Sequence, residues 1–121
     1  MDTAKTFSKK TIVAALTKNV DSEFYELDNP EIKAYEFTDR KKFDKYITAN
    51  FIHEIIKKCN ADWLGDFEEQ TLFPDTLPTA IDIVSKAIKQ KKNADIKDYL
   101  EQTKELMEIA LTNGTFMEFL F

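Results

Sequence analysis

Few side chains in this sequence are suited to chemistry. The single histidine, His53, stands beside Glu54. A zinc-hydrolase pair needs a second histidine four residues on, so that both imidazoles share one helix face; that position holds Lys57. One His and one Cys build no His/Cys metal site within a single chain, and no serine sits in a motif that would complete a triad with His53. His53 therefore reads as the flank of a buried helical stripe. Cys59 falls on the apolar face at the end of the same helix, where a thiol behaves as a small hydrophobe. Lys57 and Lys58 lie on other faces, and a helix C-terminus disfavours a thiolate.

Asp62, Asp66, Glu68 and Glu69 gather in one stretch, yet Asp62-Trp63-Leu64-Gly65-Asp66 lacks the spacing of a calcium loop, which sets oxygen ligands at alternating offsets around a turn glycine. Two glycines in the whole chain also weaken any reading that needs a glycine-rich phosphate cradle. These readings name no catalytic residue, no metal ligand and no cofactor. An enzyme assembled from dispersed carboxylates stays the least favoured of three functional classes, because active sites do form from residues distant in sequence.

The elements that would position any site belong to one domain of 121 residues, 43% hydrophobic and 32% charged, the balance of a packed globule. A lone cysteine excludes a disulfide-stapled module and makes the cytoplasm the default. No stretch has the apolar length of a membrane span, and the N-terminus lacks the apolar run of a secretory signal. The net charge is -5, and it is uneven: residues 1–60 carry 11 Lys/Arg against 10 Asp/Glu, whereas residues 61–121 carry 6 against 12. That balance disfavours a general nucleic-acid binder.

Periodicity predicts a mainly α, single-domain bundle of about four amphipathic helices. Ser8 as N-cap, Phe7 at staple spacing and the row Ile12, Ala15, Leu16, Val20 predict a first helix over 9–20. Two alternating aromatic runs, 23–27 and 32–37, flank Asp28-Asn29-Pro30-Glu31 and suggest a small β-hairpin at residues 23–37, the α+β alternative. The rival reading makes Asn29 an N-cap and Pro30 the first position of a short helix. Phe43, Ile47, Phe51, Ile55 and Cys59, four apart, predict one helix over 39–59. Residues 60–78 read as a long connection. Thr79 and Asp82 have capping-box spacing before a helix to about residue 91, and a last helix over 95–112 closes at Asn113-Gly114.

Two features depart from what stability alone would choose, the basic cluster and the tail. Arg40, Lys41, Lys42 and Lys45 crowd the first turns of a helix, where the dipole favours acids; the choices are internal pairing with Glu31, Glu36 or the acidic C-terminal half, or docking to an acidic partner. The tail Phe116-Met117-Glu118-Phe119-Leu120-Phe121 is too apolar for a fraying terminus and should dock on the domain's own core, with self-association through Phe119 and Phe121 as the second reading. Trp63 and Phe67 are aromatic residues of the kind that anchor interfaces.

The favoured function is a small acidic protein-interaction module, such as an inhibitor, an immunity or antitoxin-like protein, an assembly chaperone or an adaptor, with another protein as partner. In one version Glu101, Glu105 and Glu108 face the partner. The alternative is a nucleic-acid-binding regulator using the basic cluster at residues 40–45.

Overall fold

The computed structural model describes residues 10–59 and 69–121, and it corrects the mainly α expectation. The chain is α+β. Strands β1 (Lys10–Ala15), β2 (Ile32–Phe37), β3 (Glu69–Leu72) and β4 (Met117–Leu120) form an antiparallel sheet in the order β2-β1-β4-β3. Four helices accompany it, α1 (Arg40–Ile47), α2 (Asn50–Lys58), α3 (Leu77–Ile88) and α4 (Lys97–Asn113), with a 3-10 turn at Lys91–Ile96 leading into α4.

The predicted first helix is strand β1, and the reason is burial on both faces. All six residues of β1 are buried, which erases the polar/apolar alternation that identifies a half-buried strand. The apolar run left behind also fits helical spacing. Its β-branched Thr11, Ile12 and Val13 are the residues that favour the extended chain. Ser8 and Phe7, read as cap and staple, lie outside the described residues.

The predicted hairpin over 23–37 does not form: only residues 32–37 are a strand. Residues 32–37 pair with β1, from Lys10 opposite Phe37 to Ala15 opposite Ile32, while 23–27 lie in the connection between the two strands. The turn chemistry at Asn29 is as expected: its Oδ1 accepts from the Glu31 amide at 2.7 Å, the side-chain turn that Asn favours. Pro30 starts no helix, since β2 begins at Ile32.

The predicted helix 39–59 is two helices. Asp39 caps α1, its carboxylate accepting from the Lys42 amide at 3.0 Å. At the other end the Thr48 hydroxyl donates back to the Asp44 carbonyl at 2.9 Å, competition with the backbone ladder that interrupts helices; α2 restarts at Asn50. The long connection contains β3, and α3 begins at Leu77 with Pro78 in its first turn, ahead of the Thr79 box. Gly114 ends α4 in the left-handed conformation at φ 67°, where glycine avoids the Cβ penalty.

Helix α4 lies on one face of the sheet, against β1, β2 and β4, with α3 packed on α4 and α2 on α3. Ile12, Ala14, Phe37, Met117 and Phe119 supply the sheet side of this core. An aromatic cluster joins sheet to α1 and α4: the Phe37 ring stands 4.8 Å from Tyr46 and 4.6 Å from Tyr99, and Phe121 stands 5.0 Å from Phe43. Inside it, the hydroxyls of Tyr46 and Thr103 bond at 2.7 Å, and Thr103 also donates to the Tyr99 carbonyl at 2.8 Å. Burial pushes the Tyr46 phenol well above its ordinary value, the bond to Thr103 offsetting part of the shift.

Candidate functional site

Strand alternation fixes what the opposite face of the sheet presents. Ala34, Val13, Glu118 and Thr71 form one row across the four strands. Val13 is fully buried and Glu118 is 7% exposed. A carboxylate withdrawn from water needs hydrogen-bond donors. The Tyr25 hydroxyl donates to Glu118 Oε1 at 2.5 Å and the Thr71 hydroxyl to its Oε2 at 2.9 Å.

Tyr25 belongs to the connection between β1 and β2, so this bond pins residues from the middle of that connection to the central strand β4. Its ring also packs on Phe116, with centroids 5.9 Å apart. The neighbouring backbone is shaped by a second Asx turn, in which Asp21 Oδ1 accepts from the Glu23 amide at 2.9 Å. Further on, Glu31 Oε1 accepts from Thr17 at 2.6 Å.

Between the pinned connection and the sheet lies a cavity of about 430 Å3, lined by Glu23, Phe24, Tyr25, Leu27, Thr71 and Glu118 among others. A second hollow of about 220 Å3 adjoins it through Ser22 and is walled by Val20, Phe73, Pro74 and Phe116, with Lys18 at its side. Phe24 is 83% exposed, Leu27 54% and Phe73 51%. These are three of the four large hydrophobic side chains exposed among the described residues, the fourth being Leu111. The arrangement is an apolar-rimmed recess with a hydrogen-bonded carboxylate in its wall.

The residues singled out in the sequence fall elsewhere. Lys42 bonds Asp98 at 2.6 Å with its ammonium 4.7 Å from the centroid of the Tyr99 ring, Lys45 bonds Asp95 at 2.6 Å, and Arg40 pairs with Asp44 at 3.3 Å. Arg40, Lys42 and Lys45 are thus paired internally, in part with the acidic C-terminal half. Asp98 holds the Lys42 ammonium above its usual range, and the bond from Lys45 holds the Asp95 carboxyl below the usual carboxylate range. Lys41 is exposed and, with Lys42 and Lys45, borders a shallow groove of about 290 Å3.

Glu101, Glu105 and Glu108 are exposed along α4, with Glu105 bonded to Lys33 at 2.6 Å. Phe119 and Phe121 are buried within the aromatic core, the internal docking that the tail's composition favours. Trp63 and Phe67 lie outside the described residues. His53 is exposed on α2. Cys59 is buried, and burial pushes its thiol upward, which opposes reactivity. Among the described residues no group of three His, Cys, Asp or Glu is placed to hold a metal ion, and no helix is long and apolar enough to cross a membrane.

Phe24, Tyr25, Leu27, Phe73 and Glu118 were not legible as a site. The alternation of Glu23-Phe24-Tyr25-Glu26-Leu27 reads as a strand with a covered face, and nothing in the sequence brings residue 25 to residue 118. The usable signal was apolar residues embedded in an acidic, turn-rich segment. The chain matches no protein-family model, no curated protein and no solved structure.

Proposed function

We propose that this chain is a small protein-interaction module, of the inhibitor, antitoxin, chaperone or adaptor kind, and that it engages its partner through the recess on the outer face of the sheet. The observation that carries the reading is the gathering of Phe24, Leu27 and Phe73 around two adjoining cavities. Exposed apolar side chains scattered singly need no explanation, whereas a contiguous patch rimmed by polar groups marks an interaction surface. Burying a Phe or Leu side chain is worth about 1.5–3 kcal/mol, so a partner that covers these three gains a useful share of its binding energy. A cytoplasmic setting belongs to the same reading, since the one cysteine is free and buried.

This surface replaces α4 as the favoured contact face. A nucleic-acid role for residues 40–45 is not favoured, because Lys42 and Lys45 are engaged by Asp98 and Asp95.

The test is capture from the source cell with the wild-type chain, a Phe24→Ser/Leu27→Ser/Phe73→Ser variant and a Glu101→Lys/Glu105→Lys/Glu108→Lys variant. The reading expects a partner retained by the wild type and the α4 variant and lost by the first variant. Equal capture by all three chains, or loss only in the α4 variant, rejects it.

A further inference from the structure

Charge beside the recess bears on the kind of partner. Between Asp21 and Glu31 the chain holds five acidic residues, Asp21, Glu23, Glu26, Asp28 and Glu31, and no Lys or Arg. Two of these serve the fold: Asp21 closes an Asx turn and Glu31 accepts from Thr17. Glu23, Glu26 and Asp28 are exposed, and none of them enters an ion pair among the described residues.

Elsewhere the molecule joins opposite charges across elements, Lys33 with Glu105, Lys42 with Asp98 and Lys45 with Asp95. Glu23, Glu26 and Asp28 have no such partner among the described residues and flank Phe24 and Leu27 in the chain. Like charges close together repel, and a cationic ligand relieves that repulsion. The exposed Phe24 and Leu27 call for apolar contact as well, which a bare metal ion does not provide. An anionic lipid surface or a nucleic acid meets the same three carboxylates as repulsion.

Resting on the protein-interaction reading above, we propose that the partner presents a basic, apolar-bearing polypeptide segment. Its Leu- or Phe-sized side chains pack on Phe24 and Leu27 over the cavity of about 430 Å3, and its Lys or Arg side chains lie among Glu23, Glu26 and Asp28.

The experiment measures binding of the full chain to three labelled twelve-residue peptides: a Lys-Leu-Lys-Phe repeat, the same repeat with Glu for Lys, and the same repeat with Ser for Leu and Phe. The first should bind with one peptide per chain, and the other two at least about tenfold more weakly, as both charge and apolar contact are required. Its affinity should also fall as salt rises, because exposed charges are screened. Phe24→Ser/Leu27→Ser and Glu23→Gln/Glu26→Gln/Asp28→Asn should each lose about tenfold or more; the substituted side chains are all exposed, and thermal melts confirm that both variants fold.

Equal binding of the Glu peptide, or unchanged binding by either variant, overturns the proposal. Concentration-dependent self-association abolished by Phe24→Ser/Leu27→Ser makes a second copy the occupant and also overturns it. If the wild type captures a Phe24-dependent protein yet binds none of the peptides, the interaction reading stands and the basic-segment proposal fails. If capture and peptide binding both fail, both are rejected.

Discussion

The Tyr25 hydroxyl donates to Glu118 Oε1 at 2.5 Å across 93 residues of chain, and this contact joins the fold to the candidate site. Tyr25 stands in the long connection after β1, Glu118 in the strand that pairs with both β1 and β3. The bond satisfies a carboxylate that is nearly withdrawn from water, and it holds Phe24 and Leu27 over the recess.

Tyr25→Phe should therefore do two things. It removes one donor from a buried carboxylate, which costs about 1–3 kcal/mol, measurable as a lower urea midpoint with unchanged slope. It should also raise amide exchange across 21–27 more than in the strands, since the connection loses its anchor. An unchanged midpoint and exchange pattern would show that the bond does not hold the segment.

The buried hydroxyl pair of Tyr46 and Thr103 gives a second prediction. Tyr46→Phe and Thr103→Val should each destabilise by about 1–3 kcal/mol, and the double variant by less than the sum, because the partner left behind carries the penalty. The pH dependence follows from the raised Tyr46 value. Unfolded tyrosine releases its proton near pH 10 and the folded one does so only at higher pH. Stability supplied by the neutral phenol is thus complete below about pH 10 and lost above it. Alkaline unfolding should be shallower in Tyr46→Phe.

The Lys45 and Asp95 pair titrates at the other end of the scale. The Asp95 carboxyl is held below its ordinary value by Lys45, so its contribution is present above the unfolded value and is lost as the pH falls through the folded one. Asp95→Asn should flatten that acid limb slightly, and at high salt the difference from wild type should vanish, both groups being solvent-exposed.

Phe121→Ala tests the placement of the tail. Phe121 packs against Phe37, Phe43, Tyr46 and Phe119, so truncation should cost about 3–5 kcal/mol, seen as a large fall in Tm with no change in oligomeric state at assay temperature. A change in oligomeric state with little loss of stability would return Phe121 to an intermolecular role.

How much of this was legible in the sequence depended on how many faces of each element meet solvent. The α1, α2, α3 and α4 stripes were readable because each keeps a solvated side; Phe43, Phe51 and Ile55 are buried while His53 and Glu54 are exposed. Strand β1 was not, because its two buried faces leave no polar alternation to read. Strand β4 was seen as an apolar tail but not as a strand, since its partners are a hundred residues away in β1 and some fifty away in β3. The basic cluster was flagged by its conflict with the helix dipole, and the structure supplies the missing partners in Asp95 and Asp98. The recess was invisible for a different reason: it is made by a tertiary contact between Tyr25 and Glu118, and no local pattern encodes a pairing at that separation.

The central claim is that a partner sits on the outer face of the sheet, and hydrogen exchange on the captured complex tests it most directly. Amides over 21–27 and 70–73 should gain protection relative to the free chain, while those of α1 and the exposed face of α4 should not. Protection confined to α4 around Glu101, Glu105 and Glu108, or to α1 around Arg40 to Lys45, with 21–27 unchanged, would contradict it.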